Sequence, residues 1–530
     1  MRIHLATKSL RTALGVVALV VAAGCNNGGG DDPVPVSGVP LPGRPSAASS
    51  TLNVTIRNSS GRTAWVKFVG DSMQVSAAED SIPAGESRVF GVDGIVAGRI
   101  YISYDRLHGT KPDGANSGDP DYNTRFDKVE LTYQYDRSTD HASGKMNLTA
   151  VDHFAIPLEL DTWIGNVRIE HLSLAEGQTA TTLMAALKDV AGPAAVVPPT
   201  GPTIRVLSPQ KKPEAYKGFD VLLNRLDDTQ FTITGQYFGK KSVRYNFKGA
   251  MDGDTIRLED GGDKLTISKS SLMWSGTDAT NFNGIYTCNG AYKFNGLPKQ
   301  VSDNDVPAAV YRDLVTGFNL GFVGIGANDS AGWWSQTAFR TAPFNEYAKV
   351  VAERYSGAYG FPFNDRYEHV LADLGRGESG GTWGGIDGVT INILDDNTSS
   401  TPYHYTGNED PQDGVTTYNI SINAGSSNES VFPATEFRFN AQKYFGGKSY
   451  QWPAKEGADG THSGYTVDIS SIPAKEGLNL YHLEFGWKKF LVLVNVSGGQ
   501  WQWGAIAGGG NSTWQIMSGT PVLFVGGVLD

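Results

Sequence analysis

Cysteine is almost absent from this chain of 530 residues, which contains only Cys25 and Cys288. Neither a Cys-x-x-Cys motif nor a His-x-x-x-His pair occurs, so the usual spacings of a zinc site are missing. Basic residues are also in deficit, since 44 Lys and Arg against 55 Asp and Glu give a net charge of −11. This charge excludes typical nucleic-acid binding and electrostatic attraction to anionic lipid, both of which need Lys and Arg.

Long apolar runs are lacking as well, and no segment approaches the ~20 apolar residues that span a bilayer. The run from Ala13 to Ala23 has the length of a signal-peptide core, and it follows the basic residues Arg2, Lys8 and Arg11. The sequence therefore predicts a signal peptide over residues 1–24.

The signal peptide ends in Val21-Ala22-Ala23-Gly24-Cys25, which resembles the lipobox of bacterial lipoproteins, with Ala22 where Leu is usual. We expect Cys25 to be lipidated and the Pro/Gly-rich residues 25–50 to form a tether. Because Asn26 rather than Asp follows the cysteine, the expected location in a Gram-negative host is the outer membrane or cell surface. An ordinary signal peptide with a coincidental cysteine is the alternative.

Glycine is abundant, with 65 residues, and 11% of the chain is aromatic, a combination typical of β-structure with tight turns. Residues 51–175 show apolar alternation that predicts strands, as at Leu52, Val54 and Ile56, and around Trp65, Ile100, Val129 and Phe154. These patterns predict a β-domain.

Helical spacing begins at Thr179 and continues to Val190, and it recurs at Val310, Leu314 and Phe318 and again from Tyr347 to Tyr355. Residues 176–395 therefore read as a mixed α/β part with returning strands. A polar linker is predicted over 396–414, and alternation returns over 415–530, which indicates a C-terminal β-sandwich.

The C-terminal module is rich in tryptophan, which suits either the faces of sugar rings or a packed core. The residues concerned are Trp452, Trp487, Trp501, Trp503 and Trp514. A carbohydrate-binding module is the functional interpretation, and a Trp-rich core is the structural one.

Residues 377–381 match the Gly-x-Ser-x-Gly pattern of a serine nucleophile, which would be Ser379, but their surroundings do not fit that role. No helix is predicted after it, and four glycines lie within residues 375–381. A glycine-rich loop is the better interpretation.

Two carboxylates suggest a different chemistry. Glu130 shares one face of a predicted strand with Lys128, Thr132 and Gln134, and Asp152 interrupts an apolar strand about 22 residues later. If the two strands are antiparallel neighbours, both carboxylates face one groove. Paired carboxylates are what glycosidic bond cleavage requires, although acidic residues on exposed strand faces are more often simply solvated.

The ordered series of segments resembles glycoside hydrolase family 64, the thaumatin-like β-1,3-glucanases, over residues 51–395. The resemblance is carried by Gly98–Tyr104, Phe126–Gln134, Val151–Pro157, Gly218–Asp220, Thr316–Asn319, Asn345–Tyr355, Ala358–Asp365, Gly380–Trp383 and Val389–Ile391. It implies a thaumatin-like β-barrel domain joined to a mixed α/β domain, with a wide groove between them.

The resemblance also implies roles for single residues. Glu130, in Glu130-Leu131-Thr132, matches the catalytic acid, and Asp152 matches the catalytic base of an inverting reaction. The substrate-binding positions that it implies are Thr132, Gln134 in place of a frequent Asn, Asp365 and, with weaker correspondence, Tyr104, Arg106 and Asp119. Many members pair two cysteines; Cys288 matches the first, but Val315 occupies the second, so a free buried thiol is expected.

The sequence thus predicts a monomeric, surface-anchored endo-β-1,3-glucanase. Its expected substrates are laminarin, curdlan or fungal cell-wall glucan, and no metal or cofactor is implied. A non-catalytic glucan-binding lipoprotein on the same fold and a purely adhesive surface protein are the alternatives.

Overall fold

The structure is a computed structural model. It describes residues 51–136, 141–164, 167–219, 230–236, 244–272, 284–300, 306–321, 343–362, 372–374, 388–399, 415–422, 464–468, 477–485, 488–497, 500–507, 513–516 and 522–526, and the single residues 223, 226 and 386. Cys25, Asp365 and Ser379 lie outside the described residues, as do the predicted signal peptide and tether. No helix in the described part of the chain is long and apolar enough to cross a membrane.

Strands dominate the described residues. In chain order they are β1 (Leu52–Asn58), β2 (Ala64–Val75), β3 (Glu79–Ile82), β4 (Ser87–Ser103), β5 (Phe126–Asp136), β6 (His141–Thr149), β7 (His153–Phe154), β8 (Leu158–Ile164), β9 (Val167–Leu174), β10 (Ala195–Val196), β11 (Arg205–Leu207), β12 (Gln230–Gln236), β13 (Arg244–Asp252), β14 (Thr255–Asp260), β15 (Asp263–Ser268), β16 (Ala291–Phe294), β17 (Leu297–Gln300), β18 (Tyr355–Ser356), β19 (Ala358–Tyr359), β20 (Ala372–Asp373), β21 (Gly388–Ile393), β22 (Val415–Ile422), β23 (Gly464–Asp468), β24 (Gly477–Phe485), β25 (Lys488–Ser497), β26 (Gln500–Ala507), β27 (Thr513–Ile516) and β28 (Val522–Gly526).

The helices are α1 (Ala180–Val190), α2 (Lys269–Leu272), α3 (Val306–Leu320) and α4 (Glu346–Arg354). Helix α1 begins at a capping box, in which the Thr179 hydroxyl accepts the Thr182 amide at 3.1 Å and the Thr182 hydroxyl accepts the Thr179 amide at 2.9 Å. Helix α4 begins at Asn345, whose side chain accepts the Ala348 amide at 2.9 Å. The helical patterns found in the sequence are therefore confirmed.

The first part of the chain forms one sheet of 12 strands that curls into a nearly closed barrel. Its main path is β18-β9-β8-β21-β1-β4-β5-β6-β19, with β2, β3 and β20 joined at the side. Strand β4 is long enough to pair with two strands, since its first residues pair with β1 and its last residues pair with β5. Alternate residues of each strand, such as Val54 and Ile56 or Val129 and Leu131, point into one apolar core.

A bulge bends β4 where it passes β5. The register shifts between Ile95 and Gly98, and Ala97 has the left-handed backbone angle φ of 47°. Gly98 is required there, because a Cβ would lie 2.6 Å from the Leu131 carbonyl oxygen. The bulge turns the Ala97 amide toward the outer face of β5.

A second core lies between the antiparallel sheet β12–β17 and helix α3. Val310, Leu314 and Phe318 are all fully buried in it, as their helical spacing predicts. Helix α4 joins the two cores, because Tyr347 belongs to the first and its neighbour Ala348 to the second. The mainly β fold with an α/β part is therefore confirmed.

The C-terminal strands form two further sheets, β22-β24-β25-β26 and β23-β28-β27. In the first of these sheets β22 and β24 are parallel, and the other pairs are antiparallel. Trp501 and Trp503 lie on β26, opposite Val496 and Val494. The β-rich content agrees with the predicted module, and its role in binding carbohydrate stays a prediction.

Two details differ from expectation. Asp152 does not lie on a strand next to β5: the neighbour is β6, and Asp152 follows β6 just before β7, which pairs with β11 instead. The predicted linker also starts too early, because Asp396 accepts two hydrogen bonds of 2.6 Å from Arg125 and is therefore fixed to the barrel. In both places tertiary pairing decides what local alternation cannot.

Arg205 fixes the long loop between β4 and β5. The side chain is fully buried and donates to the carbonyl oxygens of Gly114 at 3.1 Å and Tyr122 at 2.9 Å, and also to that of Thr124. Gly114 leaves the necessary space, since a Cβ there would lie 2.8 Å from the guanidinium. The loop conformation thus depends on one buried cation.

We expect Arg205→Met to lower the melting temperature by at least about 5 °C, because three carbonyl groups lose their donor and each such loss costs roughly 1–3 kcal/mol. Differential scanning fluorimetry measures this shift. Arg88→Met is the matched control, since Arg88 is exposed and forms a surface ion pair with Asp80 at 2.7 Å. Equal melting temperatures for the two variants would contradict the role given to Arg205.

Candidate active site

Strand β5 has two chemically different faces. Val129, Leu131 and Tyr133 are buried in the barrel core. The opposite face carries polar side chains whose exposure increases along the strand, in the order Lys128, Glu130, Thr132 and Gln134. The side chain of Lys128 is 5% exposed and that of Glu130 is 29% exposed, so this face of the strand runs from a buried end toward open solvent.

Glu130 sits at the centre of this face, between Arg99 of β4 and Asn147 of β6. The Asn147 amide nitrogen lies 3.4 Å from Oε2, and the Arg99 Nε lies 3.9 Å from Oε1. Among the described residues Asn147 Oδ1 has no hydrogen-bond partner. A half-turn of that amide would offer its oxygen to Glu130, so Asn147 is able to pair with an ionised or a protonated carboxyl.

Asp152 lies beside this face and is held by two lysines. Lys128 donates from β5 to Oδ2, and Lys211 Nζ lies 3.5 Å from Oδ1. Lys211 also approaches Asp113 of the β4–β5 loop, at 4.0 Å. The two carboxylates and the two ammonium groups alternate in a row, which is the arrangement that stabilises partly buried charges.

The backbone at Asp152 is fixed as well. The Ser208 amide donates to the Asp152 carbonyl at 2.9 Å, and the Ser208 hydroxyl donates to the Val151 carbonyl. This clamp continues the pairing of β7 with β11, in which Leu207 lies opposite His153. These bonds fix the backbone of Asp152 beside Lys128.

Asp152 is kept ionised. Burial alone would raise the pKa of its carboxyl, but the positive charges of Lys128 and Lys211 and the hydrogen bond from Lys128 outweigh this effect. The pKa is held well below its ordinary range. At neutral pH the Asp152 carboxyl is thus ionised.

Strand geometry gives an expected spacing for the two carboxylates. Side chains at positions i and i+2 on one face of a strand are about 6.7 Å apart. Because Lys128 and Glu130 have this relation and Lys128 binds Asp152, we expect the carboxyl groups of Glu130 and Asp152 to lie about one such step apart. Inverting glycosidases place their two carboxyl groups roughly 6.5–9.5 Å apart, which leaves room for a water molecule.

A third carboxyl group, that of Asp127, is buried beneath the site. Asp127, on the core side of the same strand, accepts the amides of Ala155 at 2.8 Å, Ile156 at 3.1 Å and Lys128 at 2.9 Å. Burial raises the pKa of Asp127 to about 7, although these amides and the Lys128 charge act in the opposite direction. Its oxygens are fully used in holding the chain on both sides of the site.

His153 is buried next to Asp152, and its Nε2 donates to the Phe126 carbonyl at 3.0 Å. Burial, followed by the charges of Arg205 and Lys128, lowers the pKa of His153 to about 3, so the ring is neutral at working pH. Burial likewise lowers the pKa of Arg205 to about 10, which still leaves the guanidinium charged. These groups support the site from below and do not reach its open face.

The predicted substrate-binding residues on β5 lie in the site. Thr132 follows Glu130 on the outer face, and its hydroxyl accepts the Ala97 amide of the β4 bulge at 3.2 Å. That hydroxyl keeps its own hydrogen for a further partner. Gln134 is exposed at the next outward position. The structure therefore places Glu130, Thr132 and Gln134 on one face of β5, with Asp152 beside Lys128 at the buried end of that face.

Three other predicted positions have partners elsewhere. The Tyr104 ring packs on the first core, between the guanidinium groups of Arg62 at 5.0 Å and Arg125 at 5.5 Å. Arg106 pairs with Glu79 at 2.7 Å. The carboxylate of Asp119 accepts the amides of Asp113 at 3.2 Å and of Asp121 at 2.8 Å, which shapes the β4–β5 loop. Their roles in binding substrate stay predictions, and Asp365 lies outside the described residues.

The sequence reasoning missed four residues of the site: Arg99, Asn147, Lys128 as a partner of Asp152, and Lys211. The alternation of β5 places Lys128 on the same face as Glu130, so the sequence did indicate that Lys128 lies near the site. Lys211 had none, because the pairing of β7 with β11 brings it to Asp152 from a distant part of the chain. Cys288 is free and buried, as expected, and Val315 is buried in the same core.

A carboxylate on the open face of a sheet, with a second carboxylate held ionised beside that face, suits the chemistry of a glycoside hydrolase. The family model described as β-1,3-glucanase of glycoside hydrolase family 64 matches residues 47–373, more than half of the chain. The chain belongs to this family and is a β-1,3-glucanase.

The chain is also similar to solved structures of β-1,3-glucanases. A laminaripentaose-producing β-1,3-glucanase in complex with laminaritetraose is 20% identical, with 66% of this chain and 99% of that chain covered and a TM-score of 0.48. A β-1,3-glucanase domain from Clostridium beijerinckii is 16% identical, with 66% and 100% covered and a TM-score of 0.43. A laminaripentaose-producing enzyme from Paenibacillus barengoltzii, complexed with laminarihexaose, is 15% identical, with 67% and 78% covered and a TM-score of 0.38. No curated protein matches the chain significantly.

The buried side chains of Asp127 and His153 make the free energy of unfolding depend on pH in opposite directions. Between pH ~4 and ~6.5 Asp127 is protonated only when folded, so its contribution falls as the pH rises, while His153 is protonated only when unfolded, so its contribution rises with pH. The two effects oppose each other in the wild type. The His153→Gln variant keeps a donor for the Phe126 carbonyl but loses the pH-dependent contribution of His153.

We therefore expect the His153→Gln variant to gain stability relative to the wild type on acidification from pH 6.5 to 4.5, by up to about 1.4 kcal/mol per pH unit. Thermal unfolding of both proteins at several pH values measures this difference. His108→Gln, at an exposed position, is the matched control. A constant difference between His153→Gln and the wild type across this range would show that His153 is not held neutral.

Proposed function

We propose that this enzyme hydrolyses internal β-1,3 linkages of a glucan chain with inversion at the anomeric carbon. Glu130 is the general acid and Asp152 the general base. The family provides the substrate class, and the surroundings of the two carboxyl groups support the proposed roles. No cofactor takes part in the proposed reaction.

The observation that carries this assignment is the difference in surroundings between the two carboxylates. Asp152 is bound by the ammonium groups of Lys128 and Lys211, which favour its ionised form. Glu130 has no lysine partner among the described residues, and its contacts with Asn147 and Arg99 are long. Carboxylates in such different environments take different roles, and the one without the lysines is suited to carry a proton.

In the proposed reaction Glu130 donates its proton to the glycosidic oxygen, and the bond from that oxygen to C1 breaks. A water molecule near Asp152 gives its proton to that carboxylate, and its oxygen forms the new bond to C1 from the opposite side of the ring. The product carries the α configuration. Exchange of protons with solvent then restores Glu130 to the acid form and Asp152 to the ionised form.

Thr132 and Gln134 extend the polar face outward from Glu130. Their side chains offer a hydroxyl and an amide, which suit the hydroxyl groups of a sugar ring. A glucan chain bound here would pass over Thr132 and Gln134 and then between Glu130 and Asp152, so that the two carboxyl groups face the scissile bond from opposite sides. This direction is consistent with attack inside a chain, since the outer end of β5 is exposed.

We expect Glu130→Gln and Asp152→Asn each to lose about 10²–10⁴-fold in kcat on laminarin, because each removes one half of the acid–base catalysis. An aryl β-glucoside of laminaribiose with a low-pKa leaving group needs little protonation. It should therefore restore much of the rate in Glu130→Gln and little in Asp152→Asn. Rates of reducing-sugar and phenol release measure the two effects.

Glu86→Gln is the matched control, since Glu86 is exposed at the turn before β4. Its kcat should equal that of the wild type. Near-wild-type activity in either site variant, or equal rescue of both by the activated substrate, would remove the assignment.

We also propose that the enzyme is anchored to the cell envelope by lipid on Cys25. The support is the sequence alone: a basic start, a short apolar run and a cysteine at the lipobox position. Cys25→Ser should move the enzyme from the membrane fraction to the soluble fraction of lysed cells in detergent-free buffer. A variant that stays with the membranes would contradict the anchor.

A further inference from the structure

Lys128 is an unusual residue for its position. Its side chain is only 5% exposed, and it stands on a barrel strand between Asp127 and Val129, both of which are buried. An ammonium group loses its hydration in such a place, at a cost of several kcal/mol unless a carboxylate and hydrogen bonds compensate. A methionine of similar length would fill the space at no such cost. The charge is therefore there to act on a neighbour.

The neighbour is Asp152. Lys128 donates directly to Oδ2, while Lys211, with a side chain 32% exposed, stays 3.5 Å from Oδ1. Lys128 is also fixed at both ends, because its backbone amide donates to Asp127 at 2.9 Å. The strand thus holds the Lys128 ammonium group against one carboxylate oxygen of Asp152, the proposed base.

Glu130 lies two residues further along the same face. The position of Asp152 relative to Glu130 is consequently set through one short link, the side chain of Lys128. Ser208 fixes the Asp152 backbone, but its bonds leave the direction of the carboxylate open. The Lys128 contact selects that direction.

We propose that Lys128 is a positioning residue of the reaction: it fixes the carboxylate of Asp152 at one strand step from Glu130 and thereby sets the space for the attacking water. This inference rests on the proposed roles of Glu130 and Asp152. Lys211, at the rim, plays a weaker part in the same arrangement.

A change in pH dependence follows. Besides Lys128 and Lys211, the groups facing Asp152 are Tyr101 from β4, Tyr347 from α4 and the neutral ring of His153, and Asp113 faces it across Lys211. None of these supplies a positive charge at working pH to replace Lys128. Without Lys128, burial would raise the pKa of Asp152, so the base would be protonated, and activity lost, at a higher pH than in the wild type.

The test compares Lys128→Met, Lys128→Arg and Lys211→Met in the full chain, with kcat and KM on laminarin measured across pH 3–8. We expect Lys128→Met to lower kcat by about 10²-fold with KM nearly unchanged, since misplacing a catalytic group by 1 Å has this effect. The acid limb of kcat/KM should move up by about one pH unit or more. Lys128→Arg should restore the limb, and Lys211→Met should shift it in the same direction by less.

If Lys128→Met does not fold, Lys128→Gln replaces it, because glutamine keeps a donor and loses only the charge. The proposal is overturned if the folded uncharged variant keeps the wild-type kcat and acid limb while Asp152→Asn is inactive. Activity in Asp152→Asn would instead remove the proposed function itself, so the two failures are distinguishable. A fall in kcat with an unshifted limb would leave only a structural role and would also overturn the proposal.

Discussion

The ion pair between Lys128 and Asp152 connects the two parts of the chain on which the chemistry depends. Lys128 belongs to a barrel strand whose other face is apolar core, and Asp152 belongs to the crossing that leads from β6 to β7. The pair places a permanent negative charge next to the open face of β5. Glu130 is then the carboxylate on the same face that lacks such a partner, and this asymmetry is what separates an acid from a base.

Supporting charges lie one layer below and beside this pair. Asp127 holds the chain on both sides of the site through backbone amides, and Arg205 holds the long β4–β5 loop through carbonyl groups. Lys211 links that loop to Asp152 through Asp113. The buried side chains of Asp127 and Arg205 thus fix backbone, a role that apolar packing cannot fulfil because it has no direction.

The sequence predicts the fold well where structure follows from local pattern. Apolar alternation at Leu52, Val54 and Ile56 predicts a strand, and the spacing of Val310, Leu314 and Phe318 predicts a helix, because both patterns report which side of an element is buried. The face shared by Lys128 and Glu130 follows from the same rule.

Pairings between distant segments do not follow from such patterns. Asp152 looks like part of a strand beside β5, but β6 takes that place, and the β7–β11 pair brings Lys211 to Asp152. The salt bridge of Arg125 with Asp396 joins the residue before β5 to the segment after β21 in the same way. These contacts depend on how the sheet closes, and the local spacing of apolar residues does not indicate which distant segments pair.

The central claim is that Glu130 and Asp152 act on opposite sides of the scissile bond with water between them. Proton NMR of laminarin hydrolysis by the wild-type enzyme, recorded before mutarotation, tests it most directly. The account predicts that the α-anomer of the new reducing end appears first and that the β-anomer follows by mutarotation. A β-anomer formed first would mean retention through a covalent intermediate and would contradict the roles given to both carboxylates.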